Sequence, residues 1–131
     1  MTREEFLTFV KETYGTEPDF PFDDLHDTAV FRHSANRKWF ALVMTVSRHR
    51  LGLSSNESVD IVNLKTAPEL LHDMWQQGGV HPAYHMNRSH WISIRLDNTA
   101  SDDLIRFALD VSYGLTKPKP RKKSKNLTET P

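Results

Sequence analysis

The 131-residue chain contains no cysteine, which excludes disulfide bonds, thiolate metal ligands and cysteine nucleophiles. It has no apolar run long enough to cross a bilayer, and its first residues, Met1 to Glu5, lack the apolar core of a secretory signal. We therefore expect a cytoplasmic protein with no membrane partner. The length suits one domain with a moderate core.

Signatures of catalysis are also missing. The sequence has no Gly-x-Ser-x-Gly motif, no glycine-rich phosphate loop and no paired His-Glu helical motif. His81 and His85 are four residues apart, but strand geometry would separate them by about 13 Å, which is too far for two ligands of one metal. We expect neither catalysis nor a metal or other cofactor.

Charge is balanced over the whole chain but divided along it. Residues 1–116 carry 11 Lys and Arg against 16 Asp and Glu, whereas residues 117–131 carry 6 against one. The second segment also has almost no apolar residues, a composition typical of disorder. We therefore divide the chain into a folded domain at 1–116 and a disordered basic tail at 117–131. Lys122 and Lys123 in the tail are candidate phosphate contacts, and a purely solubilising tail is the alternative.

Hydrophobic periodicity predicts three helices and five strands. Helices are expected at 2–14, from Thr66 to Gly78 and from Thr99 to Gly114, and the first two begin with capping boxes that pair Thr2 with Glu5 and Thr66 with Glu69. Strands are expected at 29–33, 39–47, 59–64 and on either side of a turn at 87–89. Short turns between successive strands predict an α+β fold, a mostly antiparallel sheet of about five strands with helices packed on one face.

The longest predicted strand, residues 39–47, is apolar on both faces, which favours a central position in the sheet. Strict alternation places Phe40 with Leu42 on one face and Trp39 with Ala41 on the other. Trp39 is therefore expected in the core rather than on a surface where a base could stack.

Polar and aromatic side chains are densest at residues 81–91. Arg88 could pair with a phosphate, and its neighbours could donate hydrogen bonds or lie against a base. The alternative is an ordinary tight turn in which Asn87 adopts a left-handed conformation. The candidate contacts of this segment are Tyr84, His85, Asn87, Arg88 and His90.

Two further turns are basic. Arg37 and Lys38 follow the first predicted strand, and Arg48 and Arg50 follow the second. Such groups at strand ends could hold the backbone of a duplex, but charged turn residues that keep loops soluble would look the same. Both interpretations stay open.

Several motifs resemble the MmcQ/YjbR family of small bacterial proteins. They are Phe31-Arg32-His33, Lys38-Trp39-Phe40-Ala41, Val62-Asn63-Leu64-Lys65 and the run from Tyr84 to Trp91. The resemblance covers residues 1–115. It implies a CyaY-like (frataxin-like) fold and the "double-wing" DNA-binding function with which the family is labelled.

The expected function is therefore a non-catalytic DNA-binding protein, a transcription-related regulator, with duplex DNA as its partner. The alternative is a protein- or small-anion-binding module that uses the His/Tyr/Asn/Trp patch at 81–91, with another protein as the partner. The candidate nucleic-acid contacts are Arg37, Lys38, Arg48, Arg50, Tyr84, His85, Asn87, Arg88, His90, Lys122 and Lys123.

Overall fold

A computed structural model describes residues 1–25 and 27–119 of the chain. The described residues form three helices and five strands, with one-turn 3-10 helices at Arg48–Leu51 and Pro68–Leu70. In chain order the elements are α1 (Arg3–Tyr14), β1 (Ala29–Arg32), β2 (Trp39–Ser47), β3 (Ser58–Lys65), α2 (Leu71–Trp75), β4 (Val80–Pro82), β5 (Trp91–Arg95) and α3 (Asp102–Thr116). None of the helices in the described ranges is long and apolar enough to cross a membrane.

The five strands form one sheet in the order β1-β2-β3-β5-β4, and every neighbouring pair is antiparallel. All three helices contribute to a core on one face of this sheet, through Phe6 of α1, Met74 of α2 and Ile105 and Leu109 of α3. The predicted α+β architecture, with a mostly antiparallel sheet and helices on one face, is confirmed.

Helix α1 follows its sequence signals closely. The Thr2 hydroxyl accepts from the Glu5 amide while the Glu5 carboxylate accepts from the Thr2 amide, so the capping box is formed. Gly15 ends the helix at φ 64°, a left-handed conformation that glycine adopts without a steric cost.

Helix α3 departs from prediction at both ends. Its cap is Ser101 rather than Thr99, because the Ser101 hydroxyl accepts from the Leu104 amide. The helix also continues past Gly114 to Thr116, whose hydroxyl lies 2.9 Å from Nε2 of His33. This tertiary contact holds the last turn.

The predicted capping box at Thr66 is wrong. Thr66 is buried, its amide donates to the His90 carbonyl, and its hydroxyl has no hydrogen-bond partner among the described residues. The segment instead begins as the 3-10 turn at Pro68–Leu70, whose cap residue is Ala67, and becomes helical only at Leu71. Thr66 thus forms a hydrogen bond to the residue that precedes β5 and does not begin α2.

The face of the sheet opposite the helices, called here the second face, is also partly covered. Val46, Val59 and Ile61 form a second, smaller core on it, with Met44 and Tyr84 packed alongside. Tyr84 comes from the segment 83–90 between β4 and β5, so this segment folds back over the sheet rather than extending away from it.

Candidate nucleic-acid interface

The two predicted basic turns lie at opposite ends of β2. Arg37 and Lys38 precede Trp39, where the strand begins, and Arg48 and Arg50 follow Ser47, where it ends. A strand of this length spans about 26 Å. The two turns therefore do not form one surface, and each has to be considered with its own neighbours.

Arg48 belongs to an ion-pair cluster. Its guanidinium lies 3.1 Å from the Asp97 carboxylate, which also lies 3.5 Å from the guanidinium of Arg95. Burial raises the pKa of Asp97, but hydrogen bonds from Thr99 and Arg48 outweigh it and hold that pKa below its usual range. Arg48 is thus occupied within the fold, whereas Arg50 on the same turn is exposed.

At the other end of β2, Arg37 adopts a left-handed conformation with φ 64° and lies 3.7 Å from the Asp19 carboxylate. Lys38 is exposed, and no ion pair of its ammonium group occurs within residues 1–25 and 27–119. Lys38 is therefore the freer cation of this turn.

A buried polar pair holds the beginning of segment 83–90. The Asn63 side-chain amide donates to the Tyr84 carbonyl at 3.1 Å, and the Tyr84 amide donates to the Ser93 hydroxyl at 2.9 Å. The Ser93 hydroxyl in turn donates to the Asn63 side-chain oxygen. Sequence reasoning assigned no role to Asn63 or Ser93, although polar residues in two apolar strands signal a buried hydrogen-bond partner.

Of the 81–91 patch, only Tyr84 and His85 line a common cavity, beside Met44 and Val46, and the other side chains of the patch do not line it. Asn87 accepts from the Ser89 amide and so stabilises its own turn, while the left-handed residue is His85, at φ 58°, rather than Asn87. His85 and His90 are both exposed. Arg88 is exposed too, and its Nε donates to the Ala83 carbonyl at 3.2 Å.

His81 lies apart from the rest of this patch. Strand β4 ends at Pro82, so His81 and His85 belong to different elements and the strand-spacing argument does not apply to them. Burial, together with the charge of Arg95, lowers the pKa of His81. No group of three possible metal ligands occurs in the part of the chain that the structure describes.

Aromatic and basic side chains meet on the second face, at the end of the sheet where β2 begins. Lys65 and Trp91 are direct cross-strand partners, so their side chains share a face with the Asn63–Ser93 pair two residues away. On β1 and β2, the Arg32 guanidinium lies over the Trp39 ring, 5.7 Å from its centroid. We call Arg32, Trp39, Lys65 and Trp91 the aromatic-basic strip.

Trp39 reaches this strip because of an irregularity between β1 and β2. The register shifts so that Phe31 pairs with Ala41 but Arg32 pairs with Trp39, which leaves Phe40 as an extra residue. Phe40 and Ala41 then both enter the helix-side core, and Trp39 remains half-buried outside it. The predicted alternation, and with it a core position for Trp39, is wrong.

Acidic residues border one side of the strip. Asp19 lies 2.8 Å from the Arg32 guanidinium and also pairs with Arg37. The Phe22 ring packs edge-on against Trp39 at 6.0 Å, and Asp23 follows it directly in the chain. On the other side lie Lys65 and the segment carrying Arg88, and neither cation has an ion pair within the described ranges. Lys122 and Lys123 lie outside the described residues.

The fold and this interface define a small α+β protein whose sheet presents basic and aromatic groups on the face away from its helices. A family model described as YjbR matches residues 11–115. The chain belongs to the YjbR (MmcQ/YjbR) family.

The relatives support the same assignment over nearly the whole domain. YyaQ of Bacillus subtilis (strain 168), whose function is uncharacterized, is 40% identical over 117 residues, which are 89% of this chain and 99% of YyaQ. YjbR of Escherichia coli (strain K12), also uncharacterized, is 40% identical over 58 residues, 44% of this chain and 49% of that protein.

Solved structures agree with the fold. A crystal structure of a Pseudomonas syringae protein matches with a TM-score of 0.87 and 38% identity, covering 89% of this chain and all of that one. A crystal structure of a Deinococcus radiodurans protein matches with a TM-score of 0.66 and 26% identity, and the match covers 99% of this chain and 89% of that protein's chain.

Proposed function

We propose that this protein binds DNA without catalysing a reaction, and that it does so in the cytoplasm as a transcription-related regulator. Contacts to DNA come from the aromatic-basic strip, with Lys38 and Arg88 beside it. The observation that carries this proposal is the cross-strand pair of Lys65 and Trp91, on the same face as the Arg32–Trp39 stack. Cations that meet phosphates beside aromatic rings that meet bases are the elements of a nucleic-acid surface.

The charges of these residues support the proposal. Lys38, Lys65 and Arg88 make no ion pair within the described ranges, so their charges are available to phosphates. Arg48 is held by Asp97 and contributes no free charge. The proposal therefore rests on one end of the sheet and does not include Arg50 at the other end.

The CyaY-like fold and the double-wing comparison remain predictions. Two wings would have to meet one duplex together, and the two basic turns lie about 26 Å apart along β2. The alternative function, a protein- or small-anion-binding module at 81–91, remains a prediction as well, with less support because the side chains of that patch point to separate neighbours.

The test is a fluorescence-anisotropy titration of a labelled 20-nucleotide DNA, single-stranded and duplex, at two salt concentrations. Arg88→Ala should weaken binding of the preferred form and reduce its salt dependence by about one counterion, because one phosphate contact is lost. The Arg88 side chain is exposed, so its removal should change the free energy of unfolding by less than about 0.5 kcal/mol.

Arg50→Ala is the matched control, since it removes the same charge from an exposed position at the far end of the sheet. The tail is controlled separately by repeating both substitutions in a chain with Lys122→Gln and Lys123→Gln. Equal losses from Arg88→Ala and Arg50→Ala would show that only overall charge matters, and the proposed interface would be wrong.

A further inference from the structure

We infer that the aromatic-basic strip prefers single-stranded DNA to duplex DNA. This inference rests on the proposed function and adds the form of the ligand. It follows from the positions of the two tryptophans, from the acidic side chains that the helices expose, and from the small number of free cations near the strip.

Trp39 and Trp91 lie in the surface of the sheet, on strands β2 and β5, with β3 and its Lys65 between them. Two strand spacings separate them by about 10 Å. Arg32 lies over the Trp39 ring, so Trp91 is the ring that offers a base a stacking surface. A ring set into a sheet can stack only on a base that is already unpaired and turned outward, as single strands allow. The bases of an intact duplex are stacked on one another inside the helix and cannot lie on this ring.

Groove reading would require an element that projects from the domain and carries positive charge. The two long helices are instead acidic on their exposed faces, and they lie on the other side of the sheet. The exposed acidic side chains of α1 and α3 are Glu4, Glu5, Glu12, Asp102, Asp103 and Asp110. A helix of this charge would be repelled by the phosphates on both sides of a groove.

The segment 83–90 does not supply the projecting element either. Its beginning is held down on the second face by Asn63 and Ser93, and Tyr84 packs into the smaller core. It therefore borders the strip at Trp91, whose amide donates to the Asn87 carbonyl, and Arg88 is the next residue of that turn. A flat floor with a border on one side suits a single strand lying across the sheet.

Lys38, Lys65 and Arg88 are three cations, so a single strand should show a salt slope of about −2 from this site. Its affinity would then fall about 20-fold between 50 mM and 200 mM salt through these contacts alone. Stacking one base on a tryptophan raises the affinity about 5- to 150-fold. One stacked base is therefore comparable in size with the whole effect of salt over this range, and a duplex loses the stacking contribution.

The experiment uses the full-length chain with Trp75→Phe, which leaves Trp39 and Trp91 as fluorescent reporters. Trp75 is exposed on α2, away from the strip. The probes are a 12-nucleotide oligothymidine and a 12-base-pair duplex, titrated at the same salt concentration. We expect the single strand to quench tryptophan fluorescence and to bind at least tenfold more tightly than the duplex.

Trp91→Leu, which keeps an apolar side chain but removes the ring, should reduce the single-strand affinity at least fivefold and leave the duplex affinity within twofold. Circular dichroism checks the fold of this variant. If it is unfolded, Lys65→Gln is used instead and should weaken the single strand about threefold or more at 50 mM salt. Arg50→Ala should change neither affinity by more than twofold.

The outcomes separate the two proposals. Binding of neither probe would refute DNA binding by this protein altogether. Duplex binding as tight as single-strand binding would refute the preference and leave DNA binding in place. Single-strand binding without tryptophan quenching would refute the aromatic-basic strip as the site of that preference.

Discussion

The buried pair Asn63–Ser93 gives a prediction that can be worked out from its hydrogen bonds. Asn63→Ala leaves two buried groups without a partner, the Tyr84 carbonyl and the Ser93 hydroxyl proton. Each such group costs about 1–3 kcal/mol, so the loss should be about 2–6 kcal/mol. Ser93→Ala also leaves two, the Tyr84 amide and the Asn63 side-chain oxygen, and should cost a similar amount.

The double variant provides the sharper test. With both side chains gone, only the two backbone groups of Tyr84 lack partners, which is half the number in the two single variants together. The double variant should therefore cost less than the sum of the singles, by at least about 1 kcal/mol.

Urea denaturation followed by circular dichroism measures these differences. With a slope of about 1.5 kcal/mol per molar, a 3 kcal/mol loss lowers the midpoint by about 2 M. Ser89→Ala is the control, because Ser89 is exposed and contributes its amide rather than its hydroxyl to the turn. Additive losses within about 0.5 kcal/mol would show that Asn63 and Ser93 act independently, and the proposed anchoring of segment 83–90 would be refuted.

Two further predictions concern pH and glycine. Burial and Arg95 lower the pKa of His81, so the unfolded chain binds a proton there more readily and stability should fall as pH drops below about 6.5. His81→Gln should reduce the difference in urea midpoint between pH 7.5 and pH 5.5. An unchanged difference would contradict this prediction. Gly79→Ala should cost at least about 1 kcal/mol, because φ is +85° and the new Cβ would lie 2.9 Å from the Ala100 amide nitrogen. In contrast, Gly114→Ala in α3 should stabilise by about 0.5–1 kcal/mol, because the new Cβ would meet no neighbouring atom of the described residues within 4 Å. Thermal melts that rank these two variants in the opposite order would refute the reasoning.

Features determined by neighbouring residues were predictable from the sequence. The capping box of Thr2 and Glu5 formed as predicted, and β2 has the predicted bounds, since both depend on residues a few positions apart. Thr66 matched the same capping pattern but did not form it, because the carbonyl of His90, distant in sequence, takes its amide. Local patterns thus identified the elements and failed where a long-range hydrogen bond competed.

The candidate interface was less predictable because it depends on pairing between strands. One extra residue opposite β1 moves Phe40 into the helix-side core and leaves Trp39 on the second face, and no alternation rule contains that shift. Lys65 and Trp91 are 26 positions apart in the sequence and become neighbours only through the β3–β5 register. Arg48 and Arg50 were predicted as contacts because they are close in sequence, but Arg48 forms an ion pair with Asp97.

The acidic balance of residues 1–116 weighs less against DNA binding once the charges are placed. The exposed carboxylates of α1 and α3 lie on the outer side of the helices, such as Glu12 and Asp110, and a helix with its side chains is about 10–12 Å across. A DNA strand bound on the second face would therefore be at least a Debye length, about 10 Å at 0.1 M salt, from most of these carboxylates. Its phosphates would be influenced chiefly by the near charges of Lys38, Lys65 and Arg88 and of the bordering Asp19 and Asp23, so local placement rather than net charge decides whether this face attracts DNA.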